Sequence, residues 1–190
     1  MVRGDFRMTN NDEISERVRA DIASHGWHLV LVPPADRAPG WAHTIGLSER
    51  FGHPELLVFG SDLPFLRTLG NRLGAQVANG GTLAAGAELP GILSEFTLAI
   101  RPIDPKWVDP FLGNAAWHYR ERDFSALQCF WPDRAGRFPW DPECDPDWRA
   151  DQPLLYLRET HRALSETLLD SLRREGALAG GPAESSGAEH

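Results

Sequence analysis

Apolar positions along this chain alternate between a period of two and a period near four, and the changes of period divide it into short strands and amphipathic helices. Ile14, Val18 and Ile22 recur on one face behind Asn10 and Glu13, which stand in capping-box spacing. This predicts a first helix from Asn10 or Asn11 to a stop at Gly26. Trp27 to Val32 then reads as a buried strand ended by Pro33-Pro34. In a second strand, Trp41 to Leu47, the period of two puts Trp41, His43, Ile45 and Leu47 on one face. Ala42, Thr44 and Gly46 form the other, a face of small side chains open to close approach.

A third strand is expected over Glu55 to Phe59. A helix follows, capped by Ser61 or Asp62, with Pro64 in its first turn and an apolar stripe of Leu63, Leu66, Leu69, Leu73 and Val77. Further strands are expected over Glu95 to Ile103 and Phe124 to Trp131, with a short helix within Trp107 to Tyr119 and a final helix over Leu157 to Arg174. The stretch from Phe138 to Pro153 is rich in Pro, Asp and Trp and reads as a loop. Strands that partly follow one another, instead of alternating with helices, predict the α+β class. The expected core is a mainly antiparallel twisted sheet, open or barrel-like, flanked by helices. Residues 1–9 are expected as a flexible leader, 10–176 as a single α+β domain and 177–190 as a disordered tail of Gly, Ala, Ser and Glu.

Composition narrows the function classes. With a net charge of −8 and no run of Lys or Arg, the chain lacks the cationic footprint of a nucleic-acid binder. No apolar run reaches the ~20 residues that span a bilayer, so no membrane partner is expected. Cys129 and Cys144 are the only cysteines, and without disulfide-like spacing they point to a reducing, cytoplasmic location.

Four motifs occur in order: Gly26-Trp27-His28-Leu29-Val30, Trp41-Ala42-His43-Thr44-Ile45-Gly46-Leu47, Gly52-His53-Pro54-Glu55-Leu56 and Phe130-Trp131-Pro132-Asp133-Arg134-Ala135-Gly136-Arg137-Phe138-Pro139-Trp140. Over residues 25 to 155 this set resembles domain-of-unknown-function family 4262, which implies a small bacterial cytosolic domain and no particular activity. Where that pattern has an aromatic before Thr, this chain has His43. A second likeness, in pattern alone, is to the flavin-binding split-barrel proteins. They also place a small-residue strand before a Pro-Glu-Leu-Leu-Val-Phe strand and a helix, so the likeness implies a flavin-like cofactor.

Candidate chemistry is concentrated at strand ends. His43 and His53 lie across one loop, and imidazole titrates near neutral pH, so either could serve as a catalytic acid or base. The alternative for His53 is a His-Pro turn whose ring bonds a backbone carbonyl. Two imidazoles without a third ligand of fixed spacing do not make a metal site, and no metal is expected. Arg134 and Arg137 lie among Trp131, Phe138 and Trp140, an arrangement suited to a planar or anionic ligand. Local pairing of these arginines with Asp133 and its neighbours is the competing reading. Gln128, polar in mid-strand, needs a buried partner or a ligand. Trp41, Thr44 and Trp117 complete the expected ligand-binding set.

Two functions remain open at this point. One is a Trp-lined pocket for a small organic or anionic ligand, with chemistry if His43 or His53 acts on it. The other is an acidic protein-binding module that presents Asp141, Glu143, Asp145 and Asp147 to a basic protein partner.

Overall fold

The computed structural model describes residues 5–178 apart from 36, 37, 94, 95, 121 and 175. Helix α1 (Asp5–His25) leads into β1 (His28–Val32) and β2 (Gly40–Ile45). A short helix α2 (Leu47–Phe51) precedes β3 (Glu55–Gly60) and α3 (Leu63–Ala78). Then come β4 (Glu88–Leu89), β5 (Leu98–Pro102), a 3-10 turn at Pro105–Trp107, α4 (Val108–Tyr119) and β6 (Ala126–Phe130). Three short helices close the described chain: α5 (Pro146–Ala150), α6 (Thr160–Ala163) and α7 (Glu166–Arg174).

The six strands form one sheet in the order β1-β2-β3-β6-β5-β4. Every neighbouring pair is antiparallel except β3 and β6, which run parallel at the centre, with Glu55 opposite Ala126 and Val58 opposite Cys129. The fold is therefore α+β, with a mostly antiparallel sheet flanked by helices. The sheet remains open, because β1 and β4 end the order without pairing to each other, so barrel-like closure is not formed.

Strand alternation divides the core into two layers. On one face, Ala42, Val58, Cys129 and Ile100 stand in register across four strands and are covered by Leu66, Leu69, Leu73 and Val77 of α3. The small-residue face of β2 is thus occupied by the protein's own helix. On the other, Ile45, Leu57 and Phe59 pack with Phe111, Leu112 and Ala115 of α4 and with Leu168 and Leu172 of α7. The Trp107 indole N–H donates to the Leu157 carbonyl at 2.8 Å, tying the C-terminal segment to this layer.

Asp62, one of the two expected caps, starts α3, its carboxylate accepting from the Phe65 N–H at 2.6 Å. Other boundaries differ from expectation. Helix α1 begins ahead of the Asn10–Glu13 pair; residues 1–4 and the expected tail beyond 178 lie outside the described residues. The expected final helix is split at Leu164, whose backbone is extended (φ −115°, ψ 145°). Gly46 bends β2 directly into α2 at φ 116°, a conformation glycine adopts without strain. A Cβ there would meet the Ile22 side chain at 2.8 Å. No helix among the described residues is long and apolar enough to cross a membrane.

Candidate functional site

The structure separates the expected site residues into three environments. The first is a buried polar network at the start of β3. Glu55 is fully buried, and its carboxylate accepts from the Thr44 hydroxyl at 2.6 Å, the Gly46 N–H at 3.1 Å, the Ser48 N–H at 3.0 Å and the Tyr119 hydroxyl. Thr44 in turn accepts from the Leu56 N–H at 2.9 Å. A buried carboxylate is stable only when hydrogen-bonded in this way. Two of its donors are the backbone amides at the head of α2, so Glu55 also serves that helix as a capping acceptor. Burial, reinforced by the adjacent Glu55 carboxylate, pushes the Tyr119 phenol far above its ordinary range, so the proton stays on the phenol.

The two imidazoles lie near this network. His43 is 2% exposed, between β1 and β3, with its Nδ1–H directed to the Thr44 carbonyl at 3.3 Å. Desolvation, against that hydrogen bond, pulls its pKa down to about 4, with a small contribution from His28. His53 donates from Nδ1 to the Pro54 carbonyl at 2.7 Å and accepts at Nε2 from the Leu83 N–H at 3.0 Å, which engages both ring nitrogens. Among the described residues no three His, Cys, Asp or Glu side chains group so as to hold a metal ion. Cys129 is buried, and desolvation raises its thiol pKa, which suits packing and not nucleophilic chemistry.

The second environment is the sheet face that carries Phe130. Trp140 stacks on Phe138 at 4.8 Å between centroids and meets Phe130 and Tyr156 edge-on. The Arg101 guanidinium lies 4.6 Å over the same indole. Gln128 sits on this face too, donating to the Pro153 carbonyl at 2.7 Å and accepting from the Leu155 N–H at 3.2 Å. Its mid-strand amide therefore has a backbone partner. Trp41 packs among Phe59 and Phe111, and its indole donates to the Phe111 carbonyl.

The third environment is an open cleft. Consecutive strand residues point to opposite faces, and Trp131, following Phe130, turns toward α3. Phe65, Leu93, Phe96, Trp131, Pro132, Arg134 and Trp148 line a cavity of about 480 Å³ there. Trp131 meets Phe65 at 5.2 Å and Trp148 at 5.7 Å, edge to face in both cases. Its indole N–H donates to the Phe59 carbonyl at 2.8 Å, and its backbone N–H and carbonyl are both held by the Gln152 amide. That wall is consequently rigid. Opposite it, Arg134 reaches over the Trp148 ring at 5.8 Å.

Asp133 builds the turn that presents Arg134. Its carboxylate accepts from the backbone amides of Ala135, Arg137 and Asp145 and from the Arg137 guanidinium, at 2.8 to 3.1 Å. Desolvation raises its pKa, but these donors outweigh it and hold the carboxyl near 2. Arg137 is thereby committed to Asp133, while Arg134 is exposed and has no acidic partner within salt-bridge distance among the described residues.

Of the residues expected at a ligand site, Trp131 and Arg134 are brought together. Trp41, His43, Thr44, His53, Gln128, Arg137 and Trp140 do not line the cleft, and Trp117 lies on α4, half exposed. Phe65, Phe96 and Trp148 were missed. Trp148 had a readable signal, because Asp145-Pro146 is a capped helix start: Asp145 accepts from the Asp147 N–H at 2.9 Å and sets α5. Phe65 and Phe96 reach the cleft only through the tertiary fold.

A family model described as a domain of unknown function (DUF4262) matches residues 21–145. No curated protein and no solved structure matches the chain.

Proposed function

The chain belongs to the DUF4262 family, and from that premise we propose that it is a binding domain for a small planar anion held in the Trp131–Trp148 cleft. The observation that carries this reading is the convergence of aromatic walls and one uncommitted guanidinium. Phe65, Trp131 and Trp148 supply ring surface, and Arg134 stands over Trp148 without an acidic partner among the described residues. Aromatic faces hold a planar body, and a guanidinium takes a carboxylate or phosphate in a two-pronged hydrogen bond. A volume of about 480 Å³ falls in the range of small-ligand sites.

Neither His43 nor His53 lines this cleft, so the reading is of binding, with no imidazole assigned to chemistry there. The test is calorimetric titration with indole-3-acetate, benzoate and flavin mononucleotide, each beside a neutral analogue. Saturable binding by at least one anion is expected, weakened at least tenfold in Arg134→Gln and in Trp148→Ala. If no anion binds at millimolar concentration, or if Arg134→Gln binds as the unaltered protein does, the reading fails.

A second reading has its own support. Glu143, Asp145 and Asp147 are exposed on the loop whose Trp148 turns inward, so an acidic docking surface for a basic protein coexists with the cleft. Its test is neutralisation of those acids: partners that co-purify unchanged with the neutralised protein would remove this reading.

A further inference from the structure

A second cleft lies between α1, β1 and α4, away from Trp131, and it has two chemically distinct halves. Its inner half, about 330 Å³, is lined by Ile14, Val18, Val30, Ile45 and Trp117 among others. The outer half, about 800 Å³, is lined by Arg19, Glu49, Arg120 and Arg122 and floored by Tyr119. Trp117 and His118 border both, so the halves are adjacent. Ile14 and Trp117 are 52% and 49% exposed, unusually open for side chains of their size.

The charge at the mouth opposes the charge of the chain. In a protein of net charge −8, three guanidiniums converge on one opening against a single acid among the described residues, Glu49. Glu49 is already engaged, by His118 at 3.3 Å and Arg122 at 3.9 Å. Arg19 and Arg120 have no acidic partner among the described residues. The C-terminal end of α4 contributes only about half a negative charge, which three guanidiniums outweigh.

Arg120 adds an independent observation. It is the only non-glycine residue with positive φ among the described residues, at φ 54° and ψ −109°. Such a backbone is costly for an L side chain, and strain of this kind collects where function requires a particular side chain. Here it presents a guanidinium to the cleft.

We propose that this cleft is a binding site for a free amphipathic anion, its apolar body in the slot beside Val30 and Trp117 and its anionic head among Arg19, Arg120 and Arg122. Apolar burial supplies the affinity of the body, and charge-assisted hydrogen bonds fix the head.

Decyl phosphate, decyltrimethylammonium and inorganic phosphate serve as probes in calorimetry, all below micelle formation. Decyl phosphate is expected to bind at one site, with the cation of equal chain length and the bare phosphate each at least tenfold weaker. Arg19→Gln with Arg122→Gln is expected to weaken decyl phosphate at least tenfold with an unchanged Tm, since both side chains are exposed. Ile14→Glu is expected to weaken decyl phosphate but not inorganic phosphate. Arg120→Gly separates ligand from scaffold: it relieves the backbone, so Tm rises while affinity falls. Equal binding of the two decyl probes, unaltered affinity in the arginine variants, or binding to phosphatidate vesicles with none to monomeric decyl phosphate would each overturn the proposal.

Discussion

Tyr119, at the end of α4, donates its phenolic proton to the buried carboxylate of Glu55 at the head of β3. This contact joins the outer helix layer to the central strand, and the same carboxylate gathers the end of β2 and the start of α2 through Thr44, Gly46 and Ser48. Hydrogen bonds to a buried charge are worth about 1.5–3 kcal/mol each. Tyr119→Phe should therefore cost about 2 kcal/mol in urea unfolding, with the other donors retained. Glu55→Gln should cost more, because its amide N–H₂ would face donors. Losses below about 0.5 kcal/mol in both would show the network to be incidental.

Acid sensitivity should originate at His43. Its imidazole accepts a proton near pH 6.5 when unfolded but only near 4 when folded. The unfolded chain thus binds the extra proton first, and stability, full above pH 6.5, declines as pH falls toward 4. At about 1.4 kcal/mol per pH unit the loss approaches ~3 kcal/mol. Denaturation midpoints between pH 7 and 4 should fall more steeply for the unaltered protein than for His43→Leu. Parallel curves would place the sensitive group elsewhere.

The turn at Asp133 has a separate window. Its folded pKa near 2 lies below the ordinary aspartate value of 3.8, so its contribution is present above 3.8 and lost as pH falls toward 2. Asp133→Asn replaces an acceptor of the Arg137 and Asp145 donors with an N–H₂ group. A lower Tm and faster proteolysis between Arg134 and Asp145 are expected, together with weaker binding in the Trp131–Trp148 cleft.

One substitution type should act with opposite signs at two helical glycines. A Cβ at Gly74 of α3 would sit 2.5 Å from the Trp27 ring, so Gly74→Ala should destabilise by about 1–3 kcal/mol. At Gly113 of α4 a Cβ meets nothing within 4 Å, and Gly113→Ala should stabilise by about 0.5–1 kcal/mol. Thermal unfolding of the two variants reads the difference directly.

Local signals carried much of the fold. Period-two alternation located β2, and Asp62 with Pro64 marked the start of α3, because caps and alternation are properties of a few adjacent residues. The split between α6 and α7 was hidden, since Leu164 and Leu168 keep a helical spacing across an extended residue. The site was less legible. Trp131 and Arg134 could be linked because one turn separates them, whereas Phe65 joins them from another element. Gln128 looked available because its partners, Pro153 and Leu155, are distant in sequence, whereas for His53 the bond to the Pro54 carbonyl was legible in the His-Pro turn and only Leu83 is distant. Glu55 read simply as the first residue of a strand, and nothing near it pointed to Tyr119.

The parallel join of β3 to β6 bears on how the chain is made. Strands β1 to β3 and β4 to β6 are each formed from sequential neighbours, and the halves meet only where Glu55 pairs with Ala126 and its successors. During synthesis the first half emerges with the apolar Leu56–Phe59 edge unpaired until residue 130 has followed. Such long-range pairing is slow, and an open apolar edge invites association with other chains. Aggregation during translation should accordingly be governed by the interval between Gly60 and Phe130.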